Sequence, residues 1–279
     1  MEKQNGLCYY SNLPMKYDEK EWMLSLERLN SSLGYIKDNI VFCCAELNIR
    51  IQWSHTKIDE LLNILGNSIE DNTMNFKLVK TTRKKAESIE KTIINGDEYY
   101  KCNHCHEIKP IIDFHIIISN GCKICQHKRK TIYNAKPRGG MLQLFNTAKK
   151  STEDRNKTQN NKRTNEFDID FDYLVEIFNN QEGLCVISGI PMKFGNCEEI
   201  NWTCSLERID PLIGYIKGNV CFICVEFQTP DYTSMYKEKQ TGSSAWTKDK
   251  FKIFIDSVRT HKNNDTFVSE KNVCIIQDE

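Results

Sequence analysis

The chain contains one stretch of sequence twice, and this repeat limits the folds that it can adopt. Residues 6–17 return as residues 183–194 with seven of twelve positions identical. After a three-residue difference in length, residues 25–48 align with residues 205–228 without a gap. A chain of 279 residues that repeats a module of ~50 residues is expected to form several small domains, and domains that small often need a metal or a partner to stay folded.

The repeat and the composition between its copies divide the chain into six segments. They are a first module at 1–66, a connector with some helix at 67–97, a cysteine segment at 98–130, a basic linker at 131–165, a second module at 166–262 and a tail at 263–279. Within the linker, a short helix is predicted at 141–145, and the polar run 151–165 is expected to be mobile.

Within each module, alternating apolar residues and turn residues predict a strand, a turn, a second strand and a helix. In the second module these elements fall at 204–209, 210–214, 215–222 and 223–228. Amphipathic helices are predicted to end the modules, at 57–65 and 248–258, and a helix capped by Asp170 leads into the second module. The first module has only the last residues of this preceding segment, at 2–5, and lacks the helix. The predicted fold class is α+β.

Four cysteines form two matched pairs. Two residues separate Cys102 from Cys105 and Cys122 from Cys125, and sixteen residues lie between the pairs. This spacing is typical of a tetrahedral four-thiolate zinc site, and four thiolates leave no open position, so the zinc is expected to be structural. Three neighbouring histidines could each replace a ligand but are expected at the surface. They are His104, His106 and His127.

The two modules hold further cysteines, among them Cys8, Cys43, Cys44, Cys185, Cys221 and Cys224. The copies share only the positions 8/185 and 44/224, and a pair is too few for a tetrahedral protein site. We therefore expect buried free thiols.

The formal net charge is zero, so no global field attracts nucleic acid or membrane. Residues 126–165 nevertheless hold eleven Lys and Arg against two acidic residues, and such a local stretch can bind phosphates. The candidate nucleic-acid-binding residues are Lys128, Arg129, Lys130, Lys136, Arg138, Lys149 and Lys150. With no signal peptide, no apolar run of roughly 18 residues and thirteen cysteines, the protein is expected to be intracellular and without a membrane partner.

Three motifs carry a family resemblance. They are residues 183–192 (GLCVISGIPM), 205–211 (SLERIDP) and 214–220 (GYIKGNV). They resemble the HNH, or ββα-metal, endonuclease superfamily, in particular the branch common in phages and large DNA viruses, whose members often carry a CxxC…CxxC zinc segment upstream. The resemblance covers residues 98–260 and, in abbreviated form, residues 3–66. It implies two small HNH-like modules that flank a zinc-ribbon-like segment, and, with the abundance of Asn, Ile and Lys, it favours a viral source and a host-cell location.

The resemblance also implies the residues of a catalytic site. Glu207 and Gln228 would bind a divalent ion, Mg²⁺ or Mn²⁺, with Glu27 and Asn48 as their counterparts in the first module. The candidate catalytic residues are Glu207, Arg208, Asp210, Asn219 and Gln228 in the second module and Glu27, Arg28, Asn39 and Asn48 in the first.

Both copies depart from the family at the general base. Arg208 and Arg28 stand where the family has His, and arginine cannot act as a base at neutral pH because its pKa is ~12 or higher. The arginines would then bind the scissile phosphate or stabilise its developing charge. Asp210 is the first candidate for proton acceptor, where the first module has Asn30, and the alternative is a metal-bound hydroxide that forms without a protein base.

Three functions remain open from the sequence. The first is a metal-dependent endonuclease that hydrolyses phosphodiester bonds of double-stranded DNA. The second is a catalytically inactive nucleic-acid-binding protein derived from such modules. The third is a zinc-dependent interaction protein whose basic stretch is only a solvated linker.

Overall fold

The structure is a computed structural model and describes residues 4–17, 19, 21–49, 51–67, 89–157, 166–228 and 246–263. The strands are β1 (Leu24–Arg28), β2 (Ile40–Cys44), β3 (Lys91–Ile94), β4 (Asp97–Lys101), β5 (Ile108–Pro110), β6 (Cys204–Arg208) and β7 (Val220–Cys224). The α-helices are α1 (His55–Gly66), α2 (Lys123–Asn134), α3 (Pro137–Lys157), α4 (Phe171–Asn180) and α5 (Lys248–Asn263). The described part of the chain is therefore α+β with small antiparallel sheets, as predicted.

Each module contains one two-stranded antiparallel hairpin. β1 pairs with β2 and β6 with β7 in the same register, so that Leu24 lies opposite Cys44 and Cys204 opposite Cys224. The predicted strands are confirmed, although β7 begins at Val220, five residues later than predicted. The intervening residues belong to the turn, because the Asn219 side chain bonds to backbone groups within it.

The helix predicted at 223–228 is wrong. Ile223 and Cys224 complete β7, and only a single 3₁₀ turn, Val225–Phe227, follows before the described residues end at Gln228. The apolar spacing was ambiguous because a fully buried strand also shows a run of apolar residues.

A glutamine side chain extends each hairpin in place of a third strand. The amide of Gln181 donates to the Phe222 carbonyl at 2.9 Å and accepts from the Phe222 N–H at 2.9 Å. Gln4 makes the same pair of bonds to Phe42, at 2.8 and 2.9 Å. The two glutamines therefore pair with the outward-facing backbone N–H and C=O of the middle residue of the second strand in each module.

The shared cysteines also have equivalent places. The N–H of Cys44 donates to Sγ of Cys8, and that of Cys224 to Sγ of Cys185, each at 3.3 Å. All four are buried and free, as predicted.

The two modules pack together by exchanging aromatic contacts. Trp53 precedes α1 of the first module, and its ring lies 5.9 Å from that of Trp202 in the second. Trp246 precedes α5 of the second module, and its ring lies 5.8 Å from that of Trp22 in the first. All four tryptophans of the chain are therefore buried between modules.

The same exchange places two ion pairs between the modules. Lys57 of α1 lies 3.5 Å from Glu226 of the second module, and Lys250 of α5 lies 2.5 Å from Glu46 of the first. Because each module gives the other the same contact that it receives, the two are related by an approximate two-fold axis. One continuous core of buried residues spans both modules.

The linker helix is longer than predicted. α3 begins with Pro137, where a missing N–H costs nothing, and its 21 residues extend through the predicted helix at 141–145. The run at 151–157, expected to be mobile, is helical, because Ala148 and Thr152 are buried against the rest of the protein. Residues 158–165 lie outside the described part.

The connector and the tail are described only in part. Residues 68–88 and 264–279 lie outside the described part of the chain. Residues 91–94 of the predicted connector form β3. This strand pairs with β4, and β4 pairs with β5, so that the three-stranded sheet joins the end of the connector to the cysteine segment.

Candidate metal centre and nucleic-acid interface

The four predicted zinc ligands come together. The Sγ atoms of Cys102, Cys105, Cys122 and Cys125 all lie within 4.8 Å of one another and could hold a metal ion. Sγ of Cys105 lies 3.9 Å from Sγ of Cys122. Zn–S bonds of ~2.3 Å in a tetrahedron place sulfurs ~3.8 Å apart, so this four-sulfur set fits zinc.

Backbone N–H groups favour the thiolate form of one of the four cysteines. Burial opposes ionisation of Cys102, but N–H groups, including that of Cys122 at 3.2 Å, outweigh it and lower the pKa of this thiol to about 6. Gly121 has a φ of 90°, and a Cβ there would lie 2.5 Å from the ring of His104. Only glycine therefore fits between the two knuckles.

The histidines lie outside the sulfur cluster. Within the described residues, the metal-compatible group consists of the four cysteines, without His104, His106 or His127. His104 instead contacts Arg129, with Nε2 2.6 Å from Nη1.

Three of the predicted nucleic-acid-binding residues line one groove, which we call the basic groove. It has a volume of about 580 Å³. Its lining consists of Asn120, Gln126, Arg129, Lys130, Ile132, Tyr133 and Lys136. Cys122 and Cys125 fix the first turn of α2, so the metal site sets the position of the helix that carries most of these side chains.

The other predicted cations lie elsewhere. Lys128 and Lys149 are exposed, and Lys150 lines a second groove of about 610 Å³ on α3 together with Arg155. Arg138 belongs to neither of these two linings: its guanidinium lies 5.5 Å over the ring of Phe171 and packs α3 against α4.

α3 reaches the second module through an aromatic contact. Two guanidinium groups contact the ring of Tyr215: that of Arg155 of α3 lies 5.5 Å from the ring centroid, and that of Arg208 of β6 lies 5.4 Å from it. Arg155 also lines the groove with Lys150, so this groove on α3 lies next to the turn that joins β6 to β7.

The arginine of the Glu-Arg motif holds this turn. Nη1 of Arg208 donates to the carbonyls of Pro211 and Ile213 at 2.7 and 3.3 Å. Arg28 donates to the two equivalent carbonyls of the first module at 3.0 and 3.2 Å. These hydrogen bonds give the arginine a structural role in both copies, and that role does not require a bound phosphate.

The predicted orienting asparagine closes the turn from the other side. Nδ2 of Asn219 donates to the carbonyls of Asp210 and Gly214 at 3.1 and 2.9 Å, and Oδ1 accepts from the Asp210 N–H. Asn39 makes the equivalent three bonds. The Asp210 carboxylate accepts from the N–H of Leu212 at 2.9 Å and so caps the turn.

The predicted acid and amide meet only in the second module, among the described residues. Nε2 of Gln228 donates to Oε2 of Glu207 at 3.0 Å, and Ser205 donates to Oε1 of Gln228 at 2.7 Å. In the first module the shorter Asn48 donates to Ser25 and to the Leu26 carbonyl. Oε1 of Glu27 accepts from the next backbone N–H at 2.9 Å.

Two of the candidate catalytic residues, Glu207 and Arg208, do not face solvent. Glu207 is only 5 % exposed and Arg208 is also buried, whereas Gln228 is exposed. In the first module, desolvation by burial raises the pKa of Glu27, partly offset by the N–H and charge of Arg28. These carboxylates lie under the surface of the hairpins.

Sequence reasoning missed the residues that join the modules. Glu46 and Glu226 each accept the N–H of a tryptophan in the left-handed region, at 2.9 and 2.8 Å, and each also pairs with a lysine of the other module. Their signal was present, because these residues are identical in the two copies. They are Trp22/Trp202, Glu46/Glu226, Trp53/Trp246 and Lys57/Lys250.

In the part of the chain that the structure describes, no helix combines the length and the apolarity that crossing a membrane requires. Comparisons with known proteins place the chain in no group: no protein family, no curated protein and no solved structure matches it.

Proposed function

We propose that the chain binds double-stranded DNA through the basic groove on its zinc-anchored helix. The observation that carries this proposal is the convergence of Arg129, Lys130 and Lys136 in one groove with Tyr133. Cations set side by side neutralise neighbouring phosphates and release their counterions, and this term supplies most of the affinity of sequence-independent binding.

The second groove, on α3, extends the surface available to a backbone. At ~1.5 Å per residue, the 21 residues of α3 span about 31 Å, close to the ~34 Å of one duplex turn. Lys150 and Arg155 line this groove near the second module, together with one acidic residue, Asp154. Because the whole chain is neutral, the attraction is local and depends on these side chains.

The test is a fluorescence-anisotropy titration of a labelled duplex with the full chain. The groove variant carries Arg129→Gln, Lys130→Gln and Lys136→Gln. The matched control loses the same charge from exposed positions of α5, through Lys248→Gln, Lys252→Gln and Arg259→Gln. We expect the groove variant to bind about tenfold or more weakly and the control to bind like wild type. Equal losses in both variants, or no duplex binding by wild type, would overturn the proposal.

A second candidate function, hydrolysis of phosphodiester bonds, is favoured by the 3.0 Å contact of Glu207 with Gln228. Glu207 and Gln228 would hold Mg²⁺ or Mn²⁺ once the Gln228 amide turns its Oε1, which accepts from Ser205, toward the Glu207 carboxylate. The bound ion would activate water and stabilise the leaving oxygen. We place DNA binding ahead of hydrolysis because Glu207 is buried, whereas a metal that cleaves DNA has to be accessible to the scissile phosphate.

The second candidate is tested by incubating the protein with supercoiled plasmid and Mg²⁺ or Mn²⁺ and measuring the nicked product. Hydrolysis in the second module predicts that Glu207→Gln abolishes nicking, whereas Glu27→Gln, the matched change in the first module, leaves it. Plasmid that is retained by the protein but stays supercoiled with either ion would leave binding as the only function.

A further inference from the structure

The outer face of the second hairpin is covered by the segment that leads into α4. Phe167 forms a β-bridge with Tyr215, and the N–H of Asp168 donates to the Tyr215 carbonyl at 3.1 Å. The cover is close: a Cβ on Gly214 would lie 2.0 Å from the Glu166 carbonyl oxygen. This turn therefore accepts the extended segment only because residue 214 is glycine.

α4 and α3 together cover the rest of this face, and a Cβ on Gly140 of α3 would lie 2.2 Å from the Phe194 ring. Phe178 of α4 lies 5.6 Å, ring to ring, from Phe194 and 5.5 Å from Phe222, and Leu206 is only 6 % exposed. The Asp170 side chain caps α4 and lies 3.1 Å from Nζ of Lys217. The cover thus combines an extended aromatic segment, an acidic cap and an amphipathic helix.

The equivalent face of the first module is bare in the described structure. Tyr17, at the position of Phe194, is 66 % exposed, and Tyr35, at the position of Tyr215, is 64 % exposed. Leu26 is 38 % exposed where its counterpart Leu206 is buried. Of the described atoms, none lies within 4 Å of the place where a Cβ on Gly34 would be.

We propose that this bare face binds an amphipathic helix of a partner protein that is preceded by an extended aromatic segment and capped by an acidic residue. The bare face consists of Tyr17, Leu26, Leu33, Gly34, Tyr35, Ile36 and Lys37. The two hairpins share register and turn contacts, so the first offers an extended segment the same backbone positions that the second offers to residues 166–168. Lys37 occupies the place of Lys217 and is the cation that the acidic cap meets.

The chemistry of the face argues against other occupants. An apolar cluster is a poor surface for nucleic acid, whose affinity depends on phosphate contacts. A second copy of the chain is disfavoured because its own residues 166–180 already cover its second module. Apolar residues that cluster, rather than scatter singly, mark interaction sites.

The probe is a labelled peptide of residues 166–180, titrated into the full chain. We expect saturable binding to wild type and a loss of about tenfold or more in Gly34→Ala, because the methyl group blocks the extended segment as it would at Gly214. Folding should be unaffected, since the new methyl group meets no described atom within 4 Å. Gly66→Ala, which also meets none, is the matched control and should bind like wild type.

Charge reversal gives a second readout. Lys37→Glu should weaken binding of the peptide, and an Asp170→Lys peptide should restore binding to that variant. Two results would overturn the proposal: no saturable binding to wild type, or equal binding to wild type and Gly34→Ala. Equal binding would mean that the peptide binds at another site, for example in the second module after it displaces α4. Self-association of wild type that Gly34→Ala abolishes would assign the face to a second copy and overturn the choice of partner.

Discussion

The ammonium group of Lys57 lies 3.5 Å from a carboxylate oxygen of Glu226, and both side chains are buried. The two residues come from different copies of the repeat, and Lys250 and Glu46 repeat the pair in the opposite direction. The last helix of each module thus supplies a buried lysine to the other module. The first copy, although abbreviated in sequence, is an integral part of the core.

Removing one partner of a buried pair should destabilise the protein strongly. In Lys250→Met the Glu46 carboxylate is left buried without its cation, and we expect a loss of about 3–5 kcal/mol in the free energy of unfolding. Adding Glu46→Gln should recover much of this loss, because the amide oxygen can still accept the Trp22 N–H. Urea unfolding followed by tryptophan fluorescence measures this, since all four indoles lie at the interface.

The control for this series is the exposed pair of Lys262 with Asp59, which also joins α5 to α1. Lys262→Ala should cost less than about 1 kcal/mol, because water and salt screen exposed pairs. Equal losses in Lys262→Ala and Lys250→Met would contradict the role assigned to burial.

The stability of the module interface should fall in acid through Glu60. Burial opposes its charged form, but Asn201 and Trp202, which donate to it at 2.6 and 3.0 Å, together with Lys193, lower its pKa in the folded state. A carboxyl with a lowered folded pKa contributes stability above its unfolded pKa of ~4.3 and loses it as the pH falls through the folded value. Glu60→Gln should therefore flatten the stability profile below that unfolded pKa, and an unchanged acid limb would contradict this.

Loss of the metal should disorder the zinc segment and leave the module core folded. Cys102, Cys122 and Phe114 form a small cluster of their own, separate from the large core. In Cys102→Ser, we expect zinc content to fall, amides of residues 97–133 to exchange rapidly and duplex affinity to drop, while tryptophan fluorescence stays native. Hydrogen exchange with mass spectrometry resolves the two regions, and simultaneous unfolding of both would refute their independence.

The sequence predicted the features that local spacing determines. The two CxxC pairs predicted the four-cysteine cluster, and alternation predicted the hairpins. The asparagines Asn39 and Asn219 came from the family resemblance, as residues that orient a catalytic site, and their bonds within the turns were not predicted. The exchange of helices was not predictable in this way, because the repeat shows which residues correspond but not which copy they contact. Lys57 and Glu46 are the same residue types whether they pair within a module or across the interface.

The burial of Glu207 was also beyond the sequence. Its alternation in β6 is the pattern of a half-exposed strand, but all five residues of β6 are buried. The equivalent Glu27 is buried as well, although Leu26 beside it is exposed, so the fold of each module itself buries the carboxylate. Tertiary contacts bury the other face of β6 in the second module.

The salt dependence of duplex binding tests the central claim most directly. Each phosphate that a variant leaves without its cation should change the slope of log K against log salt concentration by about 0.9. We predict a steep negative slope for wild type and a slope shallower by about 2.7 for the variant that lacks the cations of Arg129, Lys130 and Lys136. A wild-type slope near zero, or the same slope in both proteins, would contradict the assignment of the basic groove to DNA.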